Sequence, residues 1–430
     1  MIKQINSTNI LRGELSPPGD KSISHRAIIF NSISQGNAII ENYSPGEDCM
    51  ATIDCMKALG ATIKSANQKR SLHISGVGNK GLTKPGQILN AKNSGTTMRL
   101  LTGLLAAQDF SSTITGDTSL CSRPMDRVTK PLNMMGAEIT SQGNNSGAPL
   151  VIHGNKLHGI TYQLPMASAQ VKSALILAAL FAENQTILTE PAQSRDHTEL
   201  LLRIMGAELV NKGHSITIFP QKLPLSSIDI CIPGDLSSAA YWLVAGALHP
   251  NAQIELLNIG INPTRTGIID VLLKMGANLK IKNKRTQGGE SVADLSISSS
   301  KLKGVKICGS LIPRLIDEIP VLTVAAALAD GTTIIKDAAE LRVKESDRIT
   351  TTAQQLTNFG ASIETLPDGM IIQGVKQLSG VECDSMGDHR LAMTLGIAAL
   401  IARGETIIHN AEAINISYPA FWEDAKKLST

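Results

Sequence analysis

A chain of 430 residues with 42% apolar side chains is longer than one hydrophobic core usually serves, so two domains of about 200 residues each are expected. The net charge is only +3 and 3% of the residues are aromatic, which excludes a broad nucleic-acid surface and leaves room only for a local cationic site. The six cysteines, Cys49, Cys55, Cys121, Cys231, Cys308 and Cys383, have neither CxxC nor Cys/His spacing, which excludes a zinc site and a disulfide framework and points to a reducing cytoplasm.

The first ten residues lack the apolar core of a signal peptide, and the longest uncharged runs, such as Leu391 to Ala402, are shorter than the roughly 18 residues a membrane span needs. Ile2 to Ile5 and Ile10 to Leu15 read as strands before the Pro17-Pro18-Gly19 break. Next, Asp20-Lys21-Ser22-Ile23-Ser24-His25-Arg26 is expected to open a helix with Ser22 near its N-cap. Free amides at such an end receive anions. Arg26 lies one turn beyond Ser22, so the Ser22 hydroxyl, the Arg26 guanidinium and the Lys21 ammonium are placed to converge on one phosphate. Taken alone, the segment reads better as a capped surface helix with solvated charges.

The design recurs further along. Asn93-Ser94-Gly95-Thr96-Thr97-Met98-Arg99 and Ser168-Ala169-Gln170 put small or polar residues before apolar helices, and Gly95 lets a ligand approach the backbone. In Arg123-Pro124-Met125-Asp126-Arg127, proline suits the first helical position and forces Arg123 into an extended conformation. Lys344-Glu345-Ser346-Asp347-Arg348 and Asp388-His389-Arg390 place arginines in the first turns of helices, the end that normally attracts acids. Their repetition in both halves points to a shared anionic ligand.

Gly-Ala pairs after a helical apolar stripe recur at residues 60, 136, 206, 276 and 360, spaced 70 to 84 residues apart, a period that suits a βαβ-type unit. Each glycine reads as a helix C-cap. An Ala/Leu-rich helix precedes most copies, giving two helices per unit. The last unit has its second helix, Pro419 to Leu428, but no strand after it, so the N-terminal strands are expected to complete it and the chain ends to meet. Six units split three and three, with residues 20–235 in one domain and residues 1–19 and 236–430 in the other, joined by a hinge.

In their order along the chain these motifs resemble the 5-enolpyruvylshikimate-3-phosphate synthase family. Its carriers are Asp20 to Arg26, Asn93 to Arg99, Arg123-Pro124-Met125, Ser168 to Ala174, Arg342 to Arg348 and Asp388 to Arg390. The resemblance implies an α/β fold of two similar domains, each of three repeated βαβαββ units, an inside-out α/β barrel. It implies that shikimate 3-phosphate binds through Lys21, Ser22, Arg26, Ser168, Gln170, Asp317 and Lys344, with Arg195 as a further phosphate contact. It also implies that phosphoenolpyruvate meets Lys21, Gly95, Arg123, Gln170, Arg348 and Arg390, and that Asp317 and Glu345 move protons. Asp317 is assigned as the base, Glu345 as the group at C3, and Lys21 joins them in catalysis. Glu345 also reads as an i,i+3 partner of Arg348, and Asp317 as a solvated loop acid. Neither a metal nor a cofactor is called for, and a monomer that closes around these two small molecules is expected.

Two departures stand out. Ser168-Ala169-Gln170 replaces the family's Ser-Ser-Gln, and a lysine that some members carry near the C-terminus falls at Asn415 or Ile416. The alternatives are the fold-sharing UDP-N-acetylglucosamine enolpyruvyl transferase, whose reactive cysteine lies further upstream of its arginine than Cys121 does of Arg123 and which has Asn where this chain has Ser22, and a non-catalytic repeat protein that binds anions.

Overall fold

The five Gly-Ala pairs close five helices in one geometry. Gly60, Gly136, Gly206, Gly276 and Gly360 have φ between 93° and 99°, a region that is strained for any residue with a Cβ. The glycine N–H bonds back three residues and the alanine N–H five, as in Gly60 to Lys57 O and Ala61 to Met56 O, both at 3.0 Å. Two carbonyls left over at each helix end are thereby satisfied.

In a computed structural model that describes residues 1–66, 71–78 and 81–430, the chain divides into two units. The first holds Gly19–Ile232 with Gln287–Glu290, and the second Met1–Pro18, Pro233–Thr286 and Ser291–Thr430.

The first unit contains α1 (Lys21–Ile33), α2 (Glu47–Ala58), α3 (Gly95–Ala106), α4 (Thr118–Cys121), α5 (Asp126–Met134), α6 (Ala169–Ala179) and α7 (His197–Ile204). Helices α1, α3 and α6 are buried around nearly their whole circumference, as helices inside a core must be, whereas α2, α5 and α7 bury one face. Gly103 brings α3 and α6 together: a Cβ there would lie 2.1 Å from the Ala174 carbonyl oxygen. Three four-stranded sheets share one pattern. In the second of them Leu89–Asn90 runs parallel to Ser111–Thr115, which pairs antiparallel with Leu150–His153, itself antiparallel to Glu138–Ser141. Ile230–Cys231, the last strand of the unit, runs parallel to Gln35–Glu41 of its first repeat and closes the ring of repeats.

The second unit contains α8 (Leu236–Leu248), α9 (Gly267–Lys274), α10 (Ile319–Ala327), α11 (Arg348–Asn358), α12 (His389–Ile401) and α13 (Phe421–Leu428), with α8, α10 and α12 buried. Here the N-terminal strands take two separate places. Lys3–Asn6 pairs antiparallel with Glu405–His409 in a three-stranded sheet, while Leu11–Leu15 runs parallel to Ala252–Gly260 in another. The second strand thus does what Ile230–Cys231 does in the first unit. Lys427 Nζ donates to Glu14 O at 2.8 Å, and the Met1 amino group pairs with Glu412, so the two ends of the chain lie together. The architecture is an α/β fold of two three-repeat units, each an inside-out α/β barrel with helices at its centre.

Candidate active site

In the first unit the N-terminal turns of α1, α3 and α6 converge. Asp20, not Ser22, caps α1: its Oδ1 accepts from Ile23 N at 2.9 Å, which moves Ser22 to the second helical position. The carboxylate one residue ahead of Lys21 out-competes the hydroxyl expected to cap. Lys21 then stands at a helix end whose dipole disfavours a cation, and Asp48 of α2 offsets this with an ion pair of 2.9 Å. Arg26 is buried, with Nε on Thr198 Oγ1 at 2.6 Å, Nη1 on Ser22 O at 2.9 Å and Nη2 on Ser173 Oγ at 2.6 Å. Burial pulls its pKa down to about 10, against the opposing fields of Glu199 and Asp20 and with that of Arg195. The guanidinium therefore ties α1 to α6 and α7 as well as carrying charge.

Ser94 caps α3, its Oγ accepting from Thr97 N at 3.2 Å. A Cβ on Gly95 would lie 2.6 Å from Arg99 Nη1 and 3.5 Å from Arg123 Nη1, so two guanidiniums meet over this helix end. Arg99 belongs to the quoted motif, yet no role was read for it from the sequence. Arg123 is held by Asn93 Oδ1 at 2.7 Å and Ser119 Oγ at 3.3 Å. Pro124 is not the first helical residue: α5 begins at Asp126 with Met125 at its N-cap, and Arg123 N bonds instead to Leu120 O in the turn that ends α4. Ser168 sits at the N-cap of α6 without capping it through its side chain. Gln170, in the first turn of α6, accepts from Arg99 and donates to Thr96 Oγ1 at 2.9 Å. Deeper on α6, the buried Lys172 pairs with Glu190 and Glu199, each at 2.8 Å. Burial works against its charge, but the two carboxylates prevail and hold its pKa above the ordinary lysine value.

The second unit carries the predicted carboxylates. Asp347 caps α11 and Asp388 caps α12, which places Arg348 and Arg390 in first turns, as expected. The anion met there is the chain's own. Arg348 Nε and Nη2 grip both oxygens of Asp388 at 2.7 and 3.1 Å, and Nη2 reaches Glu345 at 2.7 Å, the i,i+3 pair the sequence allowed. Asp317, in the turn before α10, lies 3.7 Å from Arg348 Nη1 and 3.6 Å from Arg390 Nη2, while its carbonyl accepts from Arg390 Nη1 at 3.1 Å. Lys344 turns to Glu340 at 3.4 Å. Burial alone would raise the Asp388 pKa, but Arg348 holds it below the usual carboxylate range. Burial likewise opposes both arginines' charges, and the carboxylates override it, raising Arg348 through Asp388 and Arg390 through Asp317.

The two units thus differ in chemistry. The first gathers Lys21, Arg26, Arg99 and Arg123 near helix N-termini, with Asp48 paired to Lys21 and Glu199 and Asp20 acting on Arg26. The second balances its arginines with Asp317, Glu345 and Asp388. The first arrangement has the chemistry to suit phosphorylated anions and the second the chemistry to suit proton transfer, the class of groups used by enzymes that handle phosphate esters.

Comparison with known proteins sharpens that class. Residues 5–425 match the family described as EPSP synthase (3-phosphoshikimate 1-carboxyvinyltransferase). A 3-phosphoshikimate 1-carboxyvinyltransferase of Herpetosiphon aurantiacus is 49% identical over 98% of each chain, and one from a Thermoanaerobacter strain is 51% identical over 98% of each. An EPSP synthase structure from Acinetobacter baumannii superposes with a TM-score of 0.88 at 42% identity, covering 99% of this chain and 98% of that one. The enolpyruvyl transferase NikO of Streptomyces tendae, at 18% identity and a TM-score of 0.80 over 99% of this chain and 97% of its own, shares the fold. The chain belongs to the EPSP synthase family.

Proposed function

We propose that the protein transfers the enolpyruvyl group of phosphoenolpyruvate to the 5-hydroxyl of shikimate 3-phosphate and releases inorganic phosphate. The full-length family match supports this reaction over transfer to a UDP-sugar. The observation that carries the site reading is the Asp317 carboxylate set between the guanidiniums of Arg348 and Arg390.

The roles are those the family resemblance implies. Lys21, Ser22, Arg26, Ser168, Gln170, Lys344 and Arg195 serve shikimate 3-phosphate. Lys21, Gly95, Arg123, Gln170, Arg348 and Arg390 serve phosphoenolpyruvate, and Arg99 joins them. Asp317 takes the proton of the 5-hydroxyl as its oxygen bonds to C2, while Glu345 gives a proton to C3. The tetrahedral intermediate then returns a proton from C3 to Glu345, the C2–C3 double bond re-forms, and phosphate departs with the proton that Asp317 had taken, which restores both carboxyl groups. Free cysteines at all six positions suit a cytoplasmic setting.

Mixing the protein with both substrates should release phosphate, and either substrate alone should release none. Folded protein that releases none with both present removes the proposal. A narrower check concerns Gly95. Its Cβ in Gly95→Ala displaces Arg99, so the KM for phosphoenolpyruvate should rise roughly ten- to a hundredfold, the scale of one lost hydrogen bond to a charged group, with less change for shikimate 3-phosphate. Steady-state kinetics with equal KM values would place Gly95 outside the phosphoenolpyruvate subsite.

A further inference from the structure

Behind the first turn of α3 runs a file of buried polar side chains that none of these roles uses. His25 of α1 has Nδ1 2.6 Å from Thr52 Oγ1 of α2. Thr52 Oγ1 is 2.7 Å from Thr97 Oγ1 of α3, and Thr97 Oγ1 donates at 2.7 Å to Ser94 Oγ, the cap of that helix. All four side chains are 0% exposed, so their hydrogen bonds are settled among themselves and not with solvent.

Counting protons gives the file a direction. A threonine hydroxyl has one hydrogen to give. Thr97 spends its hydrogen on Ser94, and its alternative, Asp48 O at 3.4 Å, is also an acceptor. Thr52 must therefore donate to Thr97, which leaves it able only to accept from His25 Nδ1. The far side of the ring agrees. Nε2 of His25 is buried with no hydrogen-bond partner. As an N–H it would be an orphaned donor, whereas a bare lone pair is the more tolerated defect. Burial, with Lys21 and Arg26 nearby, keeps the ring neutral by depressing its pKa well below the usual histidine value.

We infer that His25 is a positioning residue for the phosphoenolpyruvate subsite: protonated on Nδ1, it polarises Thr52 and Thr97 toward Ser94 and so locks the cap beside Gly95. The locked cap takes the Thr97 N–H and leaves the amides of Gly95 and Thr96 for a ligand. Without a fixed donor at its head, the file is equally satisfied in either direction, and Ser94 is free to turn away from Thr97 N. The inference rests on the reading of Gly95 as a phosphoenolpyruvate contact.

Nitrogen NMR of the full chain carrying ring-labelled histidine, with His25 assigned by its loss in His25→Asn, should show a neutral ring with its proton on Nδ1 from about pH 6 to 8. His25→Phe and the shape-preserving Thr52→Val should each raise the KM for phosphoenolpyruvate roughly three- to tenfold, the scale of one neutral hydrogen bond, with kcat and the KM for shikimate 3-phosphate nearly unchanged. His25→Asn, whose amide nitrogen takes the place of Nδ1, should restore the wild-type KM. A proton on Nε2 overturns the inference, as does a wild-type KM for phosphoenolpyruvate in Thr52→Val or in folded His25→Phe. If Gly95→Ala leaves that KM unchanged, the subsite reading falls, while the tautomer still decides the direction of the file.

Discussion

Arg348→Ala should cost the second unit about 3–5 kcal/mol and nearly all turnover, because it strands a buried acid as well as removing a cation. Arg348 is 2% exposed and Asp388 0%, and the guanidinium is the partner that keeps that carboxylate ionised. For a unit of this size the loss amounts to a fall in melting temperature of roughly 6–20 °C. The pH dependence distinguishes this cause from simple loss of packing. In the wild-type protein Asp388 is held below its unfolded value, so its contribution is present above about pH 4 and is lost as pH falls through the folded value. In the variant burial is opposed only by the weaker hydrogen bonds from Arg390 N and Ser346 Oγ and by His389, and the folded value rises above the unfolded one. Stability then declines as pH climbs from about 4 toward neutrality, and the deficit against wild type should be larger near pH 8 than near pH 5. Thermal melts at both pH values measure it, and a deficit that does not change with pH would contradict the account. Adding Asp388→Ala to Arg348→Ala should recover a large part of the lost stability, since the stranded charge goes with it.

What could be read from the sequence was what the backbone requires locally. Gly60 and its four counterparts are legible because a left-handed residue after a helix calls for glycine whatever packs around it. The starts of α11 and α12 were legible as well, with Arg348 and Arg390 read in first turns, although the caps themselves, Asp347 and Asp388, were not singled out. The cap of α1 was misread by two positions because Asp20 and Ser22 are both good caps and only the hydrogen bond to Ile23 N decides between them. Side-chain partners distant in sequence carried no signal. Arg26 meets Thr198 and Ser173, 172 and 147 residues away, and no spacing rule announces either. The arginines at the N-termini of α11 and α12 were read as awaiting an anionic ligand, yet the anion that grips Arg348 is Asp388, 40 residues on. Arg99 was hidden differently. It lies inside a motif, but its place over Gly95 depends on how α3 packs beside α6 and the segment carrying Arg123.

Asp317→Asn should lower kcat by roughly a hundred- to ten-thousandfold while leaving both KM values within about tenfold, since an amide keeps the shape and loses the basic oxygen. The expected split comes from the geometry. The main-chain carbonyl of Asp317, which the substitution leaves in place, anchors Arg390 Nη1 at 3.1 Å, so the guanidinium assigned to phosphoenolpyruvate stays where it is. The side chain has longer contacts, 3.7 Å to Arg348 and 3.6 Å to Arg390, as suits a group that must also reach a substrate hydroxyl. Glu345→Gln should likewise cut kcat, with a smaller loss of stability than Arg348→Ala, because Asp388 continues to hold the guanidinium. Phosphate release under saturating concentrations of both substrates, with melting curves run alongside, measures both variants. Turnover of Asp317→Asn within about tenfold of wild type would take the base role from Asp317 and leave it as a hydrogen-bonding contact to the hydroxyl.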